Sequence, residues 1–258
     1  MQLSLAGRTA LITGGSKGLG LATAEAFAAA GAAVAIVARD AATLEAAAGA
    51  IRAKAPQARV AAVAADITTA EGCKSAFEAS VAALGPIDIL VNNAGQAAGG
   101  PFLSGSDAAW QADFDLKVFA HVRFCRLALP AMRERRWGRI INVLATAAKA
   151  APAGSLPTAA ARAAGMAITK ALAKEFAPDG VLVNALLVGI IESDQWMRAF
   201  PGETERAAFM AQQGKSIPVG RVGRAEEFAS AALFLASEAA SYISGVAINV
   251  DGGASPNV

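Results

Sequence analysis

Short apolar runs alternate with longer helical patterns along the chain, and this alternation constrains the fold more than any other feature. The short runs are rich in Val, Ile and Ala and have no polar face, which is typical of parallel strands covered on both sides. They predict strands at Thr9–Thr13, Ala33–Ala38, Val60–Ala64, Ile87–Val91, Ile140–Leu144, Val181–Leu187 and Ala247–Val250. Helices are predicted at Leu19–Ala30, Ala41–Lys54, Ala70–Leu84, Ala108–Glu134, Leu156–Phe176 and Ala225–Ala236. The pattern predicts an α/β fold, a doubly wound seven-stranded parallel sheet with helices on both faces.

Length and composition narrow the class of protein. The 258 residues suit one large domain, so residues 1–258 are expected to form a single unit. With 23 basic and 21 acidic residues, the chain has no general attraction to nucleic acid. Two cysteines, Cys73 and Cys125, are too few for a disulfide framework, and no signal peptide or membrane helix is predicted. We therefore expect a cytoplasmic protein that binds a small molecule and neither nucleic acid nor a membrane.

The chain has one histidine, His121, and one tyrosine, Tyr242. A metal site built on two histidines is therefore excluded, and no metal is predicted. Any mechanism that needs a catalytic tyrosine must use Tyr242. That residue lies in the turn before the last predicted strand, where we expect it to pack at a subunit or sheet edge.

A glycine-rich segment follows the first predicted strand and opens the first predicted helix. It reads Thr13-Gly14-Gly15-Ser16-Lys17-Gly18-Leu19-Gly20. Its glycines let the backbone turn tightly and approach a pyrophosphate, and a helix N-terminus adds free N–H groups and a positive dipole end. The position at a strand–helix junction predicts a dinucleotide site.

The end of the second predicted strand indicates which dinucleotide is preferred. NAD-binding sites usually carry an acidic residue there, which holds the ribose hydroxyls. Here Ala38 holds that position, Arg39 follows it, and Lys17 is expected nearby. Two cations favour a 2′-phosphate, so NADP(H) is predicted over NAD(H), with Asp40 as the one residue that opposes this preference.

Several ordered motifs resemble the short-chain dehydrogenase/reductase family. They are the glycine-rich segment, Asn92-Asn93-Ala94-Gly95 after the fourth strand, Asp66 after the third, and Asp251-Gly252-Gly253 near the C-terminus. The resemblance covers essentially the whole chain and implies a single Rossmann-like domain that assembles as a homodimer or homotetramer. The cofactor-binding positions that it implies are Gly14, Ser16, Lys17, Gly18, Leu19, Gly20, Arg39, Asp66, Ile67, Asn93, Ala94, Gly95, Arg162, Gly189, Ile191 and Ser193.

The same resemblance exposes a departure at the catalytic positions. The family uses an Asn that supports a proton relay, a Ser that polarises a carbonyl, a Tyr that donates the proton, and a Lys that holds the nicotinamide ribose. These positions fall on Lys117, Ala145, Thr158 and Arg162, and Val188 stands where the family has Pro. Motifs on both sides of the predicted helix Leu156–Phe176 fix this register.

The replacements change what chemistry is available. Thr158 has no titration comparable with that of a phenol, and Arg162 stays charged and can still bind ribose hydroxyls. Losing a positioned general acid typically costs about 10²–10⁴ in rate. Lys117 in an apolar pocket would have a lowered pKa and could serve as a proton donor or a Schiff-base amine; otherwise it points outward or pairs with Asp113 or Asp115.

Three further side chains are candidates near this site. His121 lies one helical turn beyond Lys117, so it shares a helix face with it and either lines the pocket or packs between helices. Thr146 and Lys149 follow the fifth strand, on the loop that faces substrate in the family, and either could hydrogen-bond a ligand.

Residues 190–218 depart from the strand–helix alternation. They carry large apolar side chains among charges: Trp196, Met197, Phe200, Phe209 and Met210. We interpret this segment as a lid on the substrate side over an apolar ligand, or as a helical hairpin packed on the sheet edge.

Three functions remain open at this point. The first is an NADPH-preferring oxidoreductase that acts on an apolar carbonyl or activated alkene without the usual Ser-Tyr-Lys mechanism. The second is a catalytically inactive NADP(H)-binding sensor or partner subunit. The third is a non-redox lyase at the same site.

Overall fold

The computed structural model describes residues 3–192 and 202–258, in which seven parallel strands form one sheet. Their order is β3-β2-β1-β4-β5-β6-β7. The strands are β1 Thr9–Thr13, β2 Ala33–Ala38, β3 Val60–Ala64, β4 Ile89–Asn92, β5 Gly138–Ala145, β6 Val181–Val188 and β7 Ala247–Val250. This is the predicted doubly wound sheet, and the predicted fold class is confirmed.

The described helices cover both faces of the sheet. They are α1 Gly18–Ala29, α2 Ala41–Lys54, α3 Ala70–Leu84, α4 Asp107–Phe114, α5 Ala120–Glu134, α6 Thr158–Phe176, α7 Glu203–Gly214 and α8 Ala225–Ala236. Side chains alternate between the faces along each strand. On β1, for example, Ile12 packs in the core layer that includes Phe27 and Phe228, whereas Leu11 packs in the opposite layer with Phe124.

Two predicted helices differ from the observed ones. The predicted helix Ala108–Glu134 is divided into α4 and α5 by a π-helical turn at Asp115–Phe119. Such turns insert an extra residue into a helix and often mark functional sites, and periodicity alone does not reveal them. The predicted helix Leu156–Phe176 is observed as α6, which begins at Thr158. Leu156 precedes Pro157, and a residue that precedes a proline is disfavoured in the helical conformation.

The strand order determines where a ligand can bind. The chain adds β2 and β3 on one side of β1 and then returns to add β4 on the other side. A crevice therefore opens beyond the carboxyl ends of β1 and β4, where the direction of winding reverses. The glycine-rich segment follows β1 and Asn93-Ala94-Gly95 follows β4, so both motifs lie at this crevice.

The predicted lid is described only in part. Residues 193–201, which include Ser193, Trp196, Met197 and Phe200, lie outside the described residues. Helix α7 follows them, so the segment does contain helix, while its role as a lid stays a prediction. Across the described ranges, no helix is both long and apolar enough to cross a membrane.

Candidate active site

The glycine-rich loop is closely packed against the segment that follows β4. Gly14 and Gly18 have positive φ angles of 66° and 51°, which a residue with a side chain rarely adopts. A Cβ atom at Gly20 would lie 2.2 Å from the Gly14 carbonyl oxygen, so only glycine lets α1 begin this close to the loop. The Asn93 side-chain amide donates to the carbonyl oxygens of Thr13 and Gly14, at 2.9 and 3.2 Å. These contacts hold the two loops together at the crevice.

The loop geometry fits a pyrophosphate group. A Cβ atom at Gly18 would have no protein atom within 4 Å, so this part of the backbone faces open space. The first N–H groups of α1, which begins at Gly18, are free to donate into that space. The residues present therefore fit the phosphate-binding part of a dinucleotide site.

A cleft of about 370 Å³ opens beside the loop. Most of the predicted site residues meet there: Gly14, Lys17, Gly18, Leu19, Gly20, Asn93, Ala94, Gly95, Ala145, Thr158, Arg162 and Gly189. Gln96 and Ala97 also line the cleft and were not predicted, although their position directly after Asn-Ala-Gly is a usable signal. The cleft thus joins the nucleotide loop to three of the four replaced catalytic positions.

Five of the described residues predicted to bind the cofactor do not line this cleft. Ser16, Arg39 and Asp66 lie outside the lining, with Arg39 and Asp66 exposed. The Ile67 side chain is buried in the core beneath α3, and Ile191 lines a separate pocket beside β7. The binding roles of all five stay predictions.

The rim at the end of β2 carries charges whose partners matter for cofactor choice. The Asp40 carboxylate accepts hydrogen bonds from the hydroxyl and the backbone N–H of Thr43, and it caps the N-terminus of α2. The hydroxyl bond, then the backbone bond, lowers the pKa of Asp40, and the charge of Lys17 lowers it further. Oδ1 of Asp40 is therefore engaged at the N-terminus of α2.

Asp66, after β3, is held in a similar way. Its Oδ1 atom accepts from the backbone N–H and the hydroxyl of Thr68, at 3.0 and 2.8 Å. Both bonds lower the pKa of Asp66, and the backbone bond has the larger effect. The charge of Arg39 lowers the pKa further. Arg39 therefore lies close enough to Asp66 for its charge to stabilise the ionised carboxylate.

Lys117 points into the protein. Its side chain is 0% exposed, forms an ion pair with Asp113 one turn earlier, and donates to Oγ1 of Thr158 at 2.8 Å. Of the predicted alternatives, the pairing with Asp113 is the one observed, and the Lys117 side chain also reaches Thr158 at the start of α6. Asp115 instead accepts from Gln111.

Burial lowers the pKa of Lys117, and the nearby charge of Arg162 lowers it further, against the hydrogen bond to Asp113, which raises it. The ammonium form is nevertheless favoured, because a neutral amine would leave the buried Asp113 carboxylate uncompensated. An ammonium group has no free electron pair for attack on a carbonyl. The contacts therefore favour the proton-donor hypothesis over the Schiff-base hypothesis.

Arg162 bridges the ends of two strands. Its Nη1 atom donates to the Val143 carbonyl oxygen of β5, and a Cβ atom at Gly95 would lie 2.6 Å from its Nη2 atom. Burial lowers the pKa of Arg162 to about 10, against the opposing effect of Asp113, so the guanidinium remains charged at neutral pH. Whether it reaches a ribose stays a prediction.

His121 is buried on α5, as expected from its position one turn after Lys117. Neither ring nitrogen has a hydrogen-bond partner in the part of the chain that the structure describes. Burial, with a smaller contribution from the charge of Arg162, lowers the pKa of His121 to about 3. The imidazole is therefore neutral at physiological pH.

The loop candidates and the tyrosine differ from expectation. The Lys149 Nζ atom donates to the Ala247 carbonyl oxygen and to Oδ1 of Asn249, so it joins the loop to β7 rather than facing the cleft. Thr146 begins a short 3-10 turn and is absent from the cleft lining. Tyr242 is fully exposed, so packing at the sheet edge is wrong; Ile243 contacts the core from that turn instead.

Comparison with known proteins is consistent with this geometry. A sequence model of the family described as enoyl-(acyl carrier protein) reductase matches residues 14–255. The 3-oxoacyl-(acyl-carrier-protein) reductase of Aquifex aeolicus is 36% identical over 253 residues, which cover 98% of this chain and 99% of the relative. The chain belongs to the short-chain dehydrogenase/reductase family, whose members include NAD(P)-dependent oxidoreductases.

Two solved structures are similar over nearly their full length. L-sorbose reductase from Gluconobacter frateurii, complexed with NADPH and L-sorbose, has a TM-score of 0.95 and 34% identity, with both chains covered completely. An NADPH-bound short-chain oxidoreductase from Pseudomonas aeruginosa PAO1 has a TM-score of 0.92 and 41% identity, with 99% of each chain covered. The latter protein is described as containing an atypical catalytic center.

Proposed function

We propose that the protein is an NADP(H)-dependent oxidoreductase that reduces a polarised C=O or C=C bond of a small apolar molecule. The observation that carries the cofactor preference is that Asp40 engages its Oδ1 atom at the α2 N-terminus, while Arg39 is exposed directly after β2. An exposed cation at this position favours a 2′-phosphate over free ribose hydroxyls. The NADPH bound in two similar structures supports the same choice.

Each part of the cleft has a role in this proposal. The glycine-rich loop and the start of α1 bind the pyrophosphate, Asp66 contacts the adenine, and Asn93 with Gly189 contacts the nicotinamide half. Arg162 contacts the nicotinamide ribose. NADPH, when bound, supplies a hydride.

An uncharged hollow of about 230 Å³ supports an apolar substrate. It is lined by residues that include Phe102, Trp110 and Leu156, and none of the described residues contributes a charged side chain to it. It adjoins the cleft at two points in the chain. Ala97 and Thr158 line the cleft, while their neighbours Ala98 and Pro157 line the hollow. A carbonyl held near Thr158 would therefore have an apolar substituent within reach of the hollow.

Cofactor titration tests this proposal directly. Dissociation constants for NADPH and NADH are measured with the unaltered protein, with Arg39→Ala, and with Arg126→Ala as a control at an exposed arginine on α5. We expect tighter binding of NADPH, and a loss of roughly tenfold to a hundredfold for NADPH alone in Arg39→Ala, since hydrogen bonds to charged groups contribute ~1.5–3 kcal/mol. Equal affinities for both cofactors would contradict the preference, and no binding of either would contradict the function.

The second candidate is NADP(H) binding without turnover. It is favoured by the replacement of all four family catalytic residues, with Thr158 as the one hydroxyl among the replacements. Incubation with NADPH and a panel of ketones and enones separates the two. Thermal stabilisation by NADPH without consumption on any compound would favour a sensor or partner subunit. A non-redox lyase is disfavoured, because such an enzyme would have no need of the intact dinucleotide-binding loop.

Assembly and location are further parts of the proposal. We expect a cytoplasmic homodimer or homotetramer that associates through the long helices after β4 and β5. Phe119, at the junction of α4 and α5, leaves 43% of its surface exposed, which is consistent with a contact there. Light scattering that gives the mass of a single chain would contradict the assembly.

A further inference from the structure

We propose that the Thr158 hydroxyl donates the hydrogen bond to the substrate oxygen and relays to it a proton from the Lys117 ammonium. This inference rests on the proposed function, because it concerns the reduction of a bound carbonyl or enone. In this proposal the Thr158 hydroxyl takes the place of the family's tyrosine phenol, and the Lys117 ammonium supplies the proton.

The hydrogen bonds around Thr158 leave only one direction for its proton. A hydroxyl group has one donor hydrogen and two acceptor lone pairs. Oγ1 accepts from the Ala98 N–H at 2.9 Å and from Lys117 Nζ at 2.8 Å, so both lone pairs are occupied. Within residues 3–192 and 202–258 the Thr158 hydroxyl donates no hydrogen bond to the protein. Because Thr158 lines the cleft, the hydrogen is available to an oxygen atom bound there.

The surrounding charges favour a developing negative charge on that oxygen. Lys117 and Arg162 are cationic and Asp113 is anionic, so this buried group carries one excess positive charge. His121, which packs from α5, is neutral. A fixed positive environment in a buried site stabilises an oxyanion more strongly than water would.

Two buried polar atoms in this group still lack partners. Oδ2 of Asp113 and Nε of Arg162 make no hydrogen bond to the described protein. Buried polar atoms in native proteins are nearly always bonded, so unpaired atoms beside a cleft are expected where the site is completed by something else. Arg162 lines the cleft and Asp113 does not, so of these two atoms only Nε of Arg162 belongs to a residue at the cleft surface.

The relay balances atoms and charge. The hydride adds to the substrate carbon with its electron pair, and the π electrons of the C=O bond move onto the oxygen. That oxygen takes the hydrogen of Thr158 Oγ1, which at the same time takes a proton from Lys117 Nζ. Lys117 is left as a neutral amine beside Asp113, and after product leaves it regains a proton through the Thr158 hydroxyl, which lines the cleft. Burial lowers the pKa of Lys117, which makes the proton easier to release.

The first test separates the hydroxyl from the shape of Thr158. Thr158→Val keeps the branched shape and removes the hydroxyl, while Thr158→Ser keeps the hydroxyl. The probe is isobutyramide, a non-reacting carbonyl analogue, titrated into the NADPH-saturated protein. We expect Thr158→Val to weaken amide binding by about threefold to tenfold, the effect of one neutral hydrogen bond, and Thr158→Ser to stay within about twofold. NADPH affinity should not change in either variant.

The second test separates the proton from the hydrogen bond. Lys117 cannot be replaced alone without leaving a buried carboxylate unpaired, so the double variant Asp113→Asn/Lys117→Gln is used. The Gln amide can still donate to Thr158, but it has no proton to transfer. We expect amide binding within about threefold of the unaltered protein. Single-turnover oxidation of NADPH by a ketone that the protein reduces should slow by about 10²-fold or more.

The outcomes distinguish the relay from the proposed function. Failure to bind NADPH would overturn the function. Normal NADPH binding with no amide binding, or with equal amide binding in Thr158→Val, would overturn the relay alone. Single-turnover rates within tenfold of the unaltered protein in the double variant would also overturn it.

Discussion

Lys117 on the π-helical turn and Thr158 at the start of α6 are joined by a direct hydrogen bond of 2.8 Å between Nζ and Oγ1. The sequence resemblance assigns these two positions to the relay Asn and the catalytic Tyr of the family. The two predicted replacements are therefore in contact. This pairing suggests that the substitutions act together rather than as separate losses.

The buried pair of Lys117 and Asp113 gives a prediction about stability. Replacing Lys117 with Met should cost about 3–5 kcal/mol, because it leaves a buried carboxylate without its partner. For a chain of this size each kcal/mol corresponds to about 2–4 °C in Tm. The double variant Asp113→Asn/Lys117→Met should recover most of the loss in thermal unfolding. A single variant as stable as the unaltered protein would show that the pair contributes nothing.

His121 gives a prediction about pH. Its pKa is lowered by burial from 6.5 to about 3 in the folded state. Between these values the unfolded chain binds a proton that the native protein does not, so the free energy of unfolding falls as pH falls below 6.5. The slope from this residue approaches about 1.4 kcal/mol per pH unit. His121→Leu should remove that slope in urea unfolding at pH 4.5–7.5, and parallel curves for both proteins would contradict the assignment.

Two glycines form a matched pair for the nucleotide loop. Gly20→Ala places a Cβ atom 2.2 Å from the Gly14 carbonyl oxygen, whereas a Cβ atom at Gly49 on α2 meets nothing within 4 Å. We expect Gly20→Ala to lower Tm and abolish tight NADPH binding. Gly49→Ala should instead stabilise the helix by about 0.5–1 kcal/mol and leave binding unchanged. Unaltered NADPH binding in Gly20→Ala would contradict the packing described for the loop.

Lys149 gives a prediction that separates structure from ligand binding. Its two hydrogen bonds, at 2.8 and 2.9 Å, join the loop after β5 to β7. Lys149→Met should lower stability by about 1–3 kcal/mol and leave the NADPH dissociation constant unchanged. Lys174→Met, at an exposed position on α6, is the control and should change neither. Weaker NADPH binding by Lys149→Met would contradict this purely structural role and indicate that Lys149 contributes to the cofactor site.

The sequence predicted most of the fold because strand periodicity and helix length are local properties. Helix α2 has the predicted bounds, and β4 begins two residues later and ends one residue later than predicted. The π-helical turn was missed because it depends on one inserted residue within a continuous helical pattern. The inward direction of Lys117 likewise could not be derived from spacing alone.

The glycine positions of the candidate site could be predicted, because backbone geometry requires them. The hydrogen-bond partners of long polar side chains were harder to predict. Gly14, Gly18 and Gly20 lie where their spacing predicts, because only glycine fits those conformations and contacts. The partners of Lys149 were not predictable, since a long side chain selects among several nearby acceptors in the folded chain, whereas the cap formed by Asp40 follows from its position directly before the predicted helix Ala41–Lys54. The exposure of Tyr242 likewise depends on which residue of its turn contacts the core.

A crystal structure of the complex with NADP⁺ and isobutyramide tests the central claim most directly. The account predicts the 2′-phosphate beside Arg39 and the amide oxygen within about 3 Å of Thr158 Oγ1, with the Lys117–Thr158 hydrogen bond retained. An amide oxygen bonded elsewhere in the cleft, with the Thr158 hydroxyl unengaged, would contradict it.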